Sequence, residues 1–276
     1  MKLISLLFVF VSTFTFSQTH RFIYELKYKT NSEETDPKKA FMVLDINPND
    51  VKYYSYTFLE KDSINRATNS QNRSWNDELQ PVTRKRNSTK NTNFVMVADN
   101  LYSYTTNDII KWNLTNETKK YQGFNIQKAT SDFGGRNWTA WFTKDIPFAE
   151  GPYKFQGLPG LVVLLEDSEQ HYVFNLVRSN NLKTTYDTSN ILEFRYGDKP
   201  IPTTESKVVK KALEYFNDPL SDIREGLNDG KIKEFTYYGT SYKAEELGKL
   251  IKEEQNEILE NYNPIELDKA FAYPKK

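Results

Sequence analysis

Apolar and polar residues alternate along much of the first two thirds of the chain. In Arg21–Lys29, Phe22, Tyr24, Leu26 and Tyr28 interleave with Arg21, Glu25, Lys27 and Lys29. A period of two puts one set on a buried face and the other in water, so the segment predicts a strand. Further strands are predicted at Phe41–Ile46 and Val51–Leu59, with a polar turn containing Pro48 between them. Residues 60–92 break the pattern, being rich in Asn, Ser, Thr, Lys and Arg with few apolar anchors (Ile64, Trp75, Leu79, Val82). They predict a mobile excursion with room for short helical or strand pieces, in which Arg84-Lys85-Arg86 forms a solvated turn face. Strands resume at Asn93–Ala98, Leu101–Thr105, Ile109–Leu114, Tyr121–Thr130, Asn137–Thr143, Gly160–Glu166 and His171–Val177.

The final third changes period. Val208, Val209, Ala212, Leu213 and Phe216 lie on one face of a helix over Thr204–Phe216, stopped by Asn217-Asp218-Pro219. A short helix over Pro219–Asn228 would end at Gly230, and Lys231–Tyr238 reads as another strand or an extended segment. Leu247, Leu250, Ile251, Ile258 and Leu259 predict a long amphipathic helix over Ala244–Tyr262. The fold class is mainly β (α+β): a strongly curved antiparallel sheet or half-open barrel of about 8–11 strands, covered by two amphipathic helices from the C-terminal third.

Met1-Lys2 followed by the apolar run Leu3–Phe16 reads as a secretory signal, with small residues at Thr15 and Ser17 before a cleavage point near Ser17/Gln18. About 14 apolar positions are too few for the roughly 20 that span a bilayer, so no transmembrane span is expected after cleavage. The expected organisation is a signal peptide over 1–18 and one domain over 19–276, with a core over 121–177 and a helical part over 203–276. Residence would be periplasmic or extracellular.

Charge and composition narrow the chemistry. Lys+Arg and Asp+Glu balance at 37 each, which lacks the basic footprint of a nucleic-acid binder or a polybasic membrane patch. There is no Cys, which excludes disulfides, thiolate metal sites and a lipoprotein signal. The two histidines, His20 and His171, cannot assemble a serine triad without a G-x-S-x-G segment, or a multi-histidine metal site, so no cofactor and no metal are expected. The 18 Tyr, 18 Phe and 4 Trp suit an antiparallel sheet with aromatic packing.

The densest local signal is Gly151–Leu161, GPYKFQGLPGL. Gly134-Gly135 predicts a hairpin turn, and Gly151-Pro152, Gly157 and Pro159-Gly160 predict further forced turns, the last of type II. These glycines and prolines read as structural; Tyr153, Lys154, Phe155 and Gln156 read as the tip of a recognition loop. Arg136, Trp138 and Trp141 join Tyr153, Lys154 and Phe155 as the candidate ligand- or partner-binding residues, and no catalytic residue is assigned. Arg136 reads first as a structural lock on its hairpin.

Gly134-Gly135-Arg136, Ala140-Trp141-Phe142-Thr143, Ile146-Pro147, Gly151-Pro152-Tyr153-Lys154-Phe155 and Gly157-Leu158-Pro159-Gly160-Leu161 together resemble the core signature of the GLPGLI family, exported proteins of unknown function from Gram-negative bacteria. Val162 replaces the final Ile, and Asn263-Pro264-Ile265-Glu266-Leu267 resembles the family's tail. Many members carry a Cys just before the Lys-Ala pair seen here at Lys128-Ala129; this chain has Gly123–Gln127 there, so no thiol role is open to it. The resemblance implies fold and export but no activity. Three functions remain open: a non-enzymatic binding or envelope-assembly protein holding an apolar ligand or partner segment on an aromatic concave face, an interaction module docking an outer-membrane protein through the Gly151–Gly160 loop, and a carboxylate-dependent hydrolase.

Overall fold

The computed structural model describes residues 18–72, 78–194, 198–229 and 233–274. The predicted signal through Ser17, the anchor Trp75 and the helix stop at Gly230 lie outside these residues. Among the described residues, no helix is long and apolar enough to cross a membrane.

The strands are β1 (Thr19–Tyr28), β2 (Lys38–Ile46), β3 (Asp50–Ser55), β4 (Val82–Lys85), β5 (Lys90–Val97), β6 (Asn100–Asn107), β7 (Asn113–Tyr121), β8 (Phe124–Phe133), β9 (Arg136–Thr143), β10 (Leu161–Asp167), β11 (Tyr172–Leu182) and β12 (Ile201–Pro202). They form one large curved sheet that does not close into a barrel. Its order is β12-β6-β5-β4-β3-β2-β1-β11-β10-β9-β8-β7, antiparallel except where the short β12 runs parallel to β6. A separate hairpin joins β13 (Glu234–Tyr237) to β14 (Thr240–Lys243).

The period of two in β1 sets the core. Phe22, Tyr24 and Leu26 pair with Leu44, Met42 and Ala40 of β2, and all six belong to the main apolar cluster on one sheet face. Val43 and Tyr54 point to the other face, where α1 (Tyr56–Thr68) and the turn at Ile191-Leu192 cover them. The sequence places a strand through Leu59, yet the chain turns helical after Ser55, whose side chain caps α1 by accepting from the Thr57 N–H. The apolar signal of this helix stops at Phe58-Leu59. Its buried face continues with Asp62 and Asn65, and Asp62 is satisfied by Arg66 (2.7 Å) and the Tyr186 hydroxyl (2.5 Å).

The two amphipathic helices expected in the C-terminal third are present. α2 (Glu205–Asn217) buries Val208, Ala212 and Phe216 and packs over β5 and β6. α3 (Ser221–Asn228) precedes the β13–β14 hairpin, and α4 (Leu247–Glu260) buries Leu247 and Leu250 in a satellite cluster with Leu220 and Phe235. After α4 the chain crosses back to the main sheet as a strap, residues 261–271.

Arg84 is not on a solvated face. Alternation in β4 turns it inward with Val82, where its side chain is buried and paired with Glu150.

Candidate functional site

The segment between β9 and β10 folds inward rather than out. Its backbone is tied down by Phe155 N–H to the Pro152 carbonyl (3.1 Å), Gly157 N–H to Ala149 (3.0 Å) and Val162 N–H to Glu150 (2.9 Å). The expected type II turn at Pro159-Gly160 is not formed. Gly160 N–H closes a three-residue turn onto the Leu158 carbonyl (2.8 Å), and Leu161 N–H goes instead to Ile146 (3.1 Å). Gly160 is pressed so closely to the end of β9 that a Cβ would lie 2.0 Å from the Thr143 carbonyl oxygen.

Tyr153 sits in the left-handed region (φ 56°) without being glycine, a strain of about 1 kcal/mol or more. That conformation carries Tyr153, Lys154 and Phe155 into the interior, with at most 1 % of each exposed. The reading of these three as an exposed tip is therefore corrected. Phe155 packs on Trp138 (ring centroids 4.6 Å) and Phe133 (5.4 Å), which makes Trp138 and Phe155 core residues. Trp141 faces the opposite side of the sheet, under Lys119, whose Nζ is 3.9 Å from the ring centroid. Trp138 and Trp141 are three residues apart on one strand, so they cannot share a face.

The inward turn has a partner: the C-terminal strap. Gly134 and Gly135 form the β8–β9 hairpin turn with φ of 64° and 74°, and their bare faces lie against Glu266 and Leu267. Leu267 N–H donates to the Gly134 carbonyl (2.6 Å). Arg136 is buried and donates to the Asn263 side chain (2.7 Å) and to the carbonyls of Pro264 (2.8 Å) and Ile265 (3.1 Å). Asp167 balances its charge at 2.9 Å. The Tyr172 hydroxyl donates to the Asn263 carbonyl (2.6 Å). Arg136 thus anchors the strap rather than facing a ligand.

Glu266 enters a buried charge cluster. Its Oε1 accepts from Lys154 Nζ and from the Tyr153 hydroxyl, both at 2.6 Å. Lys269 Nζ lies 2.6 Å from Glu266 Oε2, 3.2 Å from Asp108 and 3.6 Å from Glu205. Asp108 also lies 3.4 Å from Lys154 and accepts from Asn91 (2.9 Å). Burial alone would raise both carboxyls. The Lys154 and Lys269 ammoniums hold Glu266 below its ordinary range, and Lys154, Thr106 and Asn91 do the same for Asp108.

A pH dependence follows. In the unfolded chain such carboxyls protonate near about pH 4, so their stabilisation is complete above that pH and is lost as pH falls through the depressed folded values. The urea midpoint should drop between about pH 5 and about pH 3, and by less in Glu266→Gln than in the parent.

Beside this cluster lies a cavity of about 300 Å³, bounded by the sheet, α2 and the strap. Tyr28, Tyr104, Tyr153, Tyr172 and Tyr262 give it aromatic walls, Val208 and Val209 of α2 an apolar side, and Glu205, Glu266 and Lys269 a charged rim. Burial pushes the Tyr104 hydroxyl up to about 12, so it is a neutral donor at ordinary pH. Of the sequence-predicted candidates, only Tyr153 lines this space. Lys154 reaches it through Glu266; Arg136, Trp138 and Phe155 lie outside its lining, and Trp141 is across the sheet. Sequence reasoning missed Tyr28, Tyr104, Tyr262, Glu205 and Lys269. Tyr28 was legible as the last member of the inward Phe22-Tyr24-Leu26 series; the other four come together only through the long-range path of the strap.

The family model described as "Protein of unknown function (Porph_ging)" matches residues 134–164, the hairpin and inward loop just described. It is a bacterial family of unknown function, and the match does not carry the GLPGLI name. No curated protein matches the chain. Two solved structures of PNGF-II, in space groups C2 and P21, are similar with TM-scores of 0.53 and 0.52 at 16% and 14% identity. Each covers 71% of this chain, but only 32% and 33% of the PNGF-II chains, so this chain spans about a third of their length. The likeness is one of β-rich fold.

Proposed function

We propose that this chain is an exported, non-enzymatic binding protein that holds a small molecule in the tyrosine-walled cavity beneath the C-terminal strap. The observation that supports this most is the cavity itself: about 300 Å³ left open beside a tightly packed core, with five tyrosines and a charge cluster on its walls. Such a mixture of aromatic surface and convergent polar groups suits recognition of a small molecule. The inward loop and Gly134-Gly135-Arg136 have a structural part in this reading. They clamp the strap, and the strap forms one wall of the cavity.

Native mass spectrometry of protein isolated from its natural producer tests the reading. The parent should carry a dissociable mass. Val209→Trp, which fills the cavity from α2, should lose it while keeping the parent's circular dichroism. A parent without added mass, or a variant that retains it, contradicts the proposal.

A further inference from the structure

We infer that the ligand of this cavity is a cation, an amine-bearing small molecule with an aromatic or alkyl body; this names the ligand class for the binding reading above and rests on it. The charges beside the cavity do not cancel. Asp108, Glu205 and Glu266 bring three carboxylates, against two ammoniums from Lys154 and Lys269. Lys154 is committed to two of these carboxylates and Lys269 to all three; Lys29 and Glu78, which also line the cavity, add one charge of each sign and leave the excess of one carboxylate unchanged.

The approach carries the same sign. A contiguous recess of about 530 Å³ shares Tyr28, Thr30, Glu78 and Asn261 with the cavity and adds Glu254 and Glu257 against Lys38. A recess with one dominant sign draws the opposite charge inward.

The walls suit a cation as well. Tyrosine faces attract ammonium and guanidinium groups, and two of these rings already do so with the protein's own cations. Lys154 Nζ lies 5.2 Å from the Tyr153 centroid, and the Arg136 guanidinium 5.1 Å from that of Tyr172. Tyr28, Tyr104 and Tyr262 complete the aromatic lining. Close by, the Tyr53 hydroxyl is buried with no hydrogen-bond partner among the described residues, in electrostatic reach of the lining residues Glu78 and Tyr172. A purely apolar guest would leave the hydroxyls and carboxylates of this lining without exchange for their lost water, whereas an ammonium supplies three donors.

The experiment is calorimetric titration of the full chain with three near-isosteric probes: phenethylamine, 2-phenylethanol and phenylacetate. Phenethylamine should bind about tenfold more tightly than the alcohol, with no measurable binding of the acid. Glu205→Gln makes the five-residue cluster neutral; it should weaken phenethylamine about fivefold and leave the alcohol unchanged. Val209→Trp should abolish binding of both, which locates them in the cavity. Equal or tighter binding of the alcohol or the acid overturns the cation inference and leaves the binding cavity standing. Absence of binding by all three probes also overturns it. The added mass in native spectrometry then decides whether the binding reading falls too.

Discussion

Gly160→Ala is expected to destabilise the protein by more than about 3 kcal/mol. The new Cβ would stand 2.0 Å from the Thr143 carbonyl oxygen and 2.6 Å from its carbon. Both belong to backbone at the end of β9, where residue 143 pairs with Leu161. No rotamer relieves that clash; either β9 or the inward loop must move. The backbone at Gly160 (φ 149°) adds strain for any side chain. Gly123→Ala is the control. Gly123 also has a positive φ (87°), but a Cβ there meets nothing within 4 Å, so only conformational strain of about 1 kcal/mol should appear. Urea denaturation of the two variants separates contact from conformation. Equal midpoints would show that the Thr143 carbonyl gives way and that the loop is not fixed by this contact.

Lys154→Met is expected to cost about 3–5 kcal/mol, because it leaves Glu266 buried against Asp108 with Lys269 as their remaining ammonium. Methionine nearly matches the lysine stem, so the loss would be of charge and hydrogen bonding more than of packing. Two further measurements identify the cause. Adding Glu266→Gln to Lys154→Met should recover part of the loss, since the uncompensated carboxylate is gone. Lowering the pH through the carboxyl range should narrow the gap between parent and Lys154→Met, since a carboxyl without its ammonium protonates first and then no longer needs it. A Lys154→Met protein as stable as the parent at neutral pH would mean that the strap is held by Arg136 and the glycine contacts alone.

These two residues mark what could and could not be read from the sequence. Regular alternation made β1 and β9 legible, an apolar run between turn residues made β2 legible, and helical spacing made α2 and α4 legible to within a few residues. β7 was misplaced because, as a sheet edge, it is exposed along almost its whole length and carries no alternation. Helix α1 straddles the predicted strand end at Leu59 and the excursion with its short helical or strand pieces. Its start was hidden because half of its buried face is Asp62 and Asn65, polar residues satisfied by Arg66 and the distant Tyr186 and by Ser70 and Asn72. The inward loop was recognised as constrained, but not in which direction. Nothing local to Tyr153-Lys154 points to Glu266, 112 residues beyond Lys154 in the chain. Without that partner a buried lysine is not a sensible expectation, and an exposed tip is the natural one. The strap motif Asn263–Leu267 was visible too, but its place against Gly134–Arg136 was not. Trp138 and Trp141 differ: their opposed faces follow from strand parity and needed no structure.

On the proposed function, the cavity bounded by the strap holds a ligand. The most direct test is a crystal structure of the protein isolated from its natural producer, without added ligand. Density for a non-protein molecule should appear between Tyr28, Tyr104 and Tyr262, beside Glu205. Density only for solvent in that space, in protein whose native mass equals that of its polypeptide, would contradict the proposed function.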